Sequence, residues 1–267
     1  MLTQAIDYRN ECEALYAILK DLSPSDWNQR TQFKHWTFND VIRHLHLFDQ
    51  GAKLTLLDPP AFKTWLGEII QDMSAGKKST QIGGEELQAC SGPALLARWA
   101  DCWREVSDAY VNSDPAGRVA WAGPDMSVRS CISARQMETW AHGQALFDAL
   151  GQVRNEQERI RNIAVMGVNT FGWTFANRRM AVPEIKPHVR LASPDGHLWE
   201  WNAPSDSECI EGSAVDFCRV VTQTRNVADT ALKISGDVAR RWMAMAQCFA
   251  GPPEDPPAAG SRCAALR

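Results

Sequence analysis

The chain has no Cys-x-x-Cys pair, no long apolar run and none of the short signatures of nucleotide-dependent or serine-dependent enzymes. Each absence closes a class. Eight cysteines, at positions 12, 90, 102, 131, 209, 218, 248 and 263, stand singly, which argues against a closed metal ribbon or a dithiol redox motif. They read as reduced, mostly buried thiols. No uncharged stretch approaches the roughly 18 apolar residues of a membrane helix. The opening Met1-Leu2-Thr3-Gln4-Ala5-Ile6-Asp7 lacks the basic segment and apolar block of a secretory signal. The expectation is a cytoplasmic protein that does not associate with membranes. Positive charge is also short: 28 Lys and Arg against 32 Asp and Glu leave a net charge of -4. Nucleic-acid binding depends on clustered Lys and Arg, so that class is set aside. There is no Gly-x-Ser-x-Gly elbow, no phosphate loop, no dinucleotide fingerprint and no internal repeat.

What is present is ordinary globular material: 267 residues, 45% hydrophobic and 22% charged, enough for one or two domains. Eleven tryptophans imply well-filled cores or an aromatic-lined pocket, and composition does not choose between them.

Helical periodicity organises the first half. Ile6, Ala14, Leu15, Ile18, Leu19 and Leu22 predict a first helix over 3–22, and Ser23-Pro24 predicts a capped restart after it. Thr37-Phe38-Asn39-Asp40 has the form of a capping box and opens a second helix, which Asp58-Pro59-Pro60 ends. Residues 61–90 read as a short helix and a mobile connection, with a hinge at Gly83-Gly84-Glu85-Glu86 long enough to act as a lid. A third long helix runs from Ser91 to about Asp114. A fourth starts at Ser130 or Ser133, with Ser133 and Gln136 as a capping box, and ends at Gly151. A fifth, over 156–180, bridges to a region where the period changes to two. There Ser193-Pro194-Asp195-Gly196 predicts a hairpin, residues 209–212 and 230–235 further strands, and 214–224 and 237–249 helices. The proline-rich end from Gly251 reads as disordered.

The expected fold is therefore α+β, mainly α. It comprises an N-terminal up-down-type four-helix bundle over 1–155, a bridging helix over 156–182, a small α+β domain over 183–251 and a disordered tail over 252–267.

The chemistry concentrates in the fourth helix. Glu138 and His142 fall one turn apart and leave the same face, which continues through Ala145 and Ala149. A carboxylate and an imidazole directed at a core require partners. His44, between Val41 and Phe48 on the inner face of the second helix, supplies a third polar group. Spacing leaves two readings open: a two-histidine, one-carboxylate metal site of the kind bundles build from facing helices, or a surface ion pair beside a satisfied core histidine. His46 lies about 200° from His44 around the helix and is left out.

Trp27, Thr31, Trp36-Thr37, His44-Leu45 and Met137-Glu138-x-x-x-His142 resemble the signature of the DinB/YfiT-like metal-binding bundles. Within them the pattern is most similar to the mycothiol-dependent maleylpyruvate isomerase family, which follows the bundle with a small α+β domain. Gly212-Ser213-Ala214-Val215-Asp216-Phe217-Cys218 and Ala246-Gln247-Cys248-Phe249-Ala250-Gly251 resemble an uncharacterised metal-binding subgroup of it. The resemblance implies His44, Glu138 and His142 as ligands of a divalent metal, zinc first, with nickel or another ion as alternatives. Many thiol-transferase relatives use three histidines, so the carboxylate at Glu138 matches the isomerase pattern. It also implies a low-molecular-weight thiol such as mycothiol as cofactor and a small, carboxylated substrate. Among Arg178, Arg179, Arg225, Arg240 and Arg241, Arg225 is the first candidate to bind that carboxylate, because it lies in an expected helix-to-loop connection.

Three functions follow: thiol-assisted isomerisation or thiol transfer; hydrolysis, hydration or lyase chemistry by metal-bound water; or metal binding without catalysis. Monomer and homodimer both remain open.

Overall fold

Thr37 and Asp40 close the box that their residue types predict. The Thr37 hydroxyl accepts from the Asp40 amide at 3.1 Å, and the Asp40 carboxylate accepts from the Thr37 amide at 2.9 Å. In the computed structural model, which describes residues 1–263, this box opens α2 (Phe38–Leu57). Three more long helices complete a bundle: α1 (Thr3–Leu19), α5 (Gly92–Val111) and α6 (Val128–Ala149). Helix α1 packs on α5 and α6, and so does α2, which sets α1 and α2 at opposite corners. Tyr8, Trp99, Trp103, Tyr110 and Trp140 fill the centre and are fully buried. Most of the tryptophan content is thus core, each ring contributing about 1.5–3 kcal/mol or more by leaving water.

The connections depart from the sequence reading in informative ways. Helix α1 stops at Leu19, before the expected Leu22, and the short helical turn expected after Ser23-Pro24 is a single 3-10 turn, Asp26–Asn28, with the Ser23 hydroxyl donating to the Asp26 carboxylate at 2.8 Å. The stretch read as a short helix and mobile connection contains α3 (Pro59–Ser74), capped where Asp58 accepts from the Ala61 amide at 3.1 Å, and the short α4 (Gly84–Ala89). Only Phe62 and Ile69 of α3 are buried. A two-stranded antiparallel hairpin, β1 (Arg118–Trp121) and β2 (Gly123–Ser127), precedes α6. Helix α6 therefore begins at Val128. The Ser127 hydroxyl accepts from the Ser130 amide at 3.1 Å, whereas Ser133 and Gln136 are buried inside the helix and make no cap.

The chain separates into two compact units, 1–149 and 150–267. In the second, the expected fifth helix is two: α7 (Arg161–Asn169) and α8 (Phe171–Asn177). The break falls at Thr170, whose hydroxyl donates to the carbonyls of Met166 at 2.8 Å and Gly167 at 3.0 Å. A four-stranded sheet follows in the order β4-β3-β5-β6. Strand β3 (His188–Ala192) pairs antiparallel with β4 (Leu198–Trp201) through the Asp195-Gly196 turn, where Gly196 takes φ +85°. Strand β5 (Cys209–Ser213) runs parallel to β3 and antiparallel to β6 (Lys233–Ser235). Helices α9 (Ala214–Val221) and α10 (Asp237–Met243) complete the unit, and α10 ends six residues before the expected Phe249. Phe171 and Phe217 meet Trp242 edge-on at 5.1 and 5.9 Å in its core. The fold class is thus α+β, mainly α.

Composition predicts disorder after Gly251, yet residues 252–263 are tied down. Gln223 donates to the Glu254 carbonyl at 2.7 Å, Asn226 to Pro257 at 2.8 Å, and Arg262 to the Gln223 carbonyl at 2.7 Å. The rest of the expected tail, 264–267, lies outside the described residues. Among those described, no helix is long and apolar enough to cross a membrane.

Two glycines give opposite expectations. A Cβ on Gly167 would sit 2.8 Å from Val221 and 2.9 Å from Phe217, whereas one on Gly67 would meet nothing within 4 Å. Gly167→Val should destabilise the full chain by about 1–3 kcal/mol in urea. Gly67→Ala, in the interior of α3, should stabilise it by about 0.5–1 kcal/mol. Equal effects would mean that α7 and α9 do not pack as described.

Candidate functional site

Helix α6 carries Glu138 and His142 one turn apart, and α2 brings His44 across to them. The Glu138 Oε2 lies 3.1 Å from His142 Nε2 and 3.5 Å from His44 Nε2. One potential ligand atom from each of the three lies within 4.8 Å of the others. The two imidazoles are 4.5 Å apart between centroids. All three side chains keep some exposure, 13–23%, so the cluster is sheltered but reachable.

Aromatic rings form its walls. Trp36 stacks on His142 at 5.6 Å with planes 5° apart, and Phe33 meets the same imidazole edge-on at 5.0 Å. Phe48 packs on His44 at 4.8 Å and is backed by Trp65 at 6.0 Å. Trp65 can lie there because position 51 is glycine: a Cβ would come within 2.5 Å of the indole.

This environment sets the protonation states. Burial, with the neighbouring His142 and Arg135 adding to it, lowers His44 to about 4 against the opposing pull of Glu138. Burial alone would raise Glu138. Hydrogen bonds from His142 and His44, with their charge, outweigh it and hold the carboxyl well below the usual carboxylate range. At neutral pH His44 is a neutral donor atom and Glu138 an anion.

Beneath the cluster lies a fully buried charge pair. Arg135 Nε donates to Asp49 Oδ1 at 2.8 Å, with side-chain exposures of 3% and 0%. Trp99 of α5 donates to the other Asp49 oxygen at 2.9 Å. Burial pushes Asp49 up and Arg135 pulls it back; for Arg135, burial is opposed and exceeded by Asp49 and Glu138.

The structure thus brings together His44, Glu138 and His142, the three residues the sequence singles out. His46 points elsewhere: it is 2% exposed and neither ring nitrogen has a hydrogen-bond partner. Arg225 belongs to the second unit, in the turn after α9, where its guanidinium donates to the Thr224 carbonyl at 2.8 Å. In the same unit Arg178 pairs with Asp255 at 2.8 Å, Arg240 lies 3.6 Å from Asp237, Arg241 lies 5.6 Å over Phe175, and Arg179 takes φ 58°. Arg135, Asp49, Phe33 and the packing role of Trp36 escape the sequence reading. Arg135 carries one legible signal, its place one turn before Glu138 on the same helix.

With this geometry in hand, comparisons place the chain among known proteins. Residues 8–147 match the model of the mycothiol maleylpyruvate isomerase N-terminal domain. The chain is 34% identical over 248 residues to an uncharacterized protein of Mycobacterium tuberculosis, found in two strains, with 92% of this chain and 95% of that protein covered. It is similar to the crystal structure of the mycothiol-dependent maleylpyruvate isomerase, with TM-score 0.51, 12% identity, and 82% of this chain and 87% of that one covered. A histidine-to-alanine mutant of that enzyme gives a TM-score of 0.50 with the same identity and coverage. At this identity the likeness is one of fold.

The buried pair yields a stability cycle. Arg135→Met should cost about 3–5 kcal/mol by stranding Asp49, and Asp49→Leu combined with Arg135→Met should recover most of that loss. Urea unfolding of the three chains measures it; additive losses would show that the two charges do not depend on each other.

Proposed function

Because the chain belongs to the mycothiol maleylpyruvate isomerase N-terminal domain family, we propose that it is a metal-dependent enzyme of thiol-assisted isomerisation or thiol transfer. Its substrate is a small carboxylated molecule, and His44, Glu138 and His142 hold a divalent ion, zinc first. The observation that carries this is the convergence of two imidazole nitrogens on one carboxylate oxygen. Donors about 2.0–2.1 Å from a tetrahedral zinc lie roughly 3.3 Å apart. The 3.1 and 3.5 Å separations are of that size.

The donor set also suits the task. Two imidazole nitrogens and one carboxylate leave coordination positions for exogenous ligands, which distinguishes a catalytic site from a closed structural one. A divalent ion held there lowers the pKa of a bound thiol or water and polarises a carbonyl. The residues around it do the rest. The lowered pKa of His44 keeps its nitrogen free of protons at neutral pH, and Glu138 stays ionised. Phe33, Trp36 and Phe48 limit water at the site. In the isomerisation a thiol sulfur bonds to one carbon of an activated double bond while a proton is taken up elsewhere on the substrate. The new single bond rotates, and the reverse elimination expels the thiol and restores the double bond.

Protein purified without added metal should contain about one zinc or similar ion per chain by elemental analysis, and His142→Ala and His44→Ala should each lose it. Full occupancy in either variant refutes the ligand set. Calorimetric titration of the metal-loaded chain should show mycothiol binding that disappears in His142→Ala. Binding of no thiol, with metal present, would turn the reading to hydrolytic or lyase chemistry.

A further inference from the structure

A cleft of about 540 Å³ opens beside the cluster, lined by Arg30, Lys34, His35, Trp36 and Asp40 from the α2 approach and by Lys78, Ser79 and Thr80 from the segment after α3. Its charge runs against the chain as a whole. Arg30, Lys34 and Lys78 face one acid, Asp40, in a protein of net charge -4. Asp40 is already committed: it accepts from the Thr37 amide and hydroxyl at 2.9 and 2.7 Å and from Arg43 at 3.3 Å. Trp36, whose indole stacks on His142, is also a lining residue, so cleft and cluster share one residue.

The backbone is bent to produce this arrangement. Lys34 and His35 both adopt left-handed conformations, at φ 49° and 56°, in a place where neither glycine nor asparagine relieves them. The turn is closed by the Arg30–Thr37 bridge, by the Thr31 amide donating to the Trp36 carbonyl at 2.8 Å, and by the Trp36 amide donating to Phe33 at 2.9 Å. It delivers Phe33 and Trp36 to His142, and Lys34 and His35 to the cleft. Strained non-glycine residues of this kind cluster where a site requires their positions.

We propose that this cleft is a binding site for the carboxylate of a small organic anion, gripped by Arg30, Lys34 and Lys78 and covered on its apolar side by Trp36. Arginine and lysine supply charge-assisted hydrogen bonds, Ser79 and Thr80 add neutral donors, and the indole favours a carbon-bearing anion over an inorganic one. That the anion is the substrate of the neighbouring cluster rests on the function proposed above; the site itself does not.

The test is calorimetric titration of the full chain with maleate, a compact dicarboxylate, at low ionic strength. Lys34→Asn, which tolerates the left-handed backbone, combined with Lys78→Gln should weaken maleate about tenfold or more while leaving metal content unchanged. Chelator-treated wild type and His142→Ala should bind maleate as the untreated chain does. Unchanged affinity in the double variant overturns the cleft, as does loss of maleate binding on chelation. Inorganic phosphate binding as tightly as maleate overturns the carboxylate assignment. Maleate binding by untreated chain that elemental analysis shows to have been purified without any metal would support the cleft and sink the metal reading, so the two fail separately.

Discussion

Everything at the cluster depends on a charge pair that never meets water. Asp49 of α2 and Arg135 of α6 are fully buried and hydrogen-bonded to each other, Trp99 of α5 donates to the second Asp49 oxygen, and Tyr8 of α1 lies close enough to be shifted by both charges. All four bundle helices therefore converge on one ion pair. Such a pair is weak evidence for stability, because its desolvation consumes most of its attraction. Its effect is on register. A slip of α2 against α6 would strand a charge in the core at a cost of several kcal/mol. Arg135 also reaches the Leu45 carbonyl at 3.5 Å, next to His44, and stands one turn before Glu138. The lock that holds the helices in register is thus one turn from the residues whose separation matters.

The second constraint is the turn over residues 30–37, which the bundle frames rigidly enough to hold two left-handed residues. Asn39 does much of this: its amide donates to the Trp27 carbonyl at 3.1 Å while its oxygen accepts from the Gly92 amide at 2.8 Å. One side chain thereby joins the 3-10 turn, the start of α2 and the start of α5. Trp27 is fully buried behind it, and Thr31, 2% exposed, closes the loop from inside with a hydroxyl bond to the Phe33 carbonyl at 3.3 Å. The residues that carry the family resemblance outside the His-Glu-His set are therefore not decoration. Trp27, Thr31, Trp36 and Thr37 build the frame that aims the aromatic wall.

What could be read in the sequence was what local physics determines. The Glu138/His142 spacing, the Thr37 capping box and the Asp195-Gly196 hairpin each depend on residues within one turn of one another, and each took the form expected. Where tertiary packing decides, the reading failed. Helix α3 runs for 16 residues where a short helix was expected, and it buries only two side chains. The hairpin before α6 is two short strands containing Gly123-Pro124, which reads as a loop. Thr170 breaks the fifth helix by bonding its own backbone, a choice that a threonine inside a helical pattern does not announce. Helix α6 hid its most important contact for a different reason. It buries Arg135, Gln136, Thr139, Gln144 and Asp148 among its apolar residues, so polarity no longer marks the outside. A buried arginine looks like a surface one until its partner, 86 residues away, is known.

Charge counting links the two parts of the proposed site. Neutral His44 and ionised Glu138 contribute one negative charge. With a divalent ion the centre carries about one positive charge, and a bound thiolate removes it. A carboxylated substrate arriving next would find no net attraction at the centre, and in water-excluding surroundings an uncompensated carboxylate is costly. Its counter-charge has to come from elsewhere in the protein. In the proposal above, Arg30, Lys34 and Lys78 of the cleft would supply it. The same short turn carries Phe33 and Trp36 to His142 and Lys34 and His35 to the cleft, so under the proposed function one element would serve both the ligand cluster and substrate recognition.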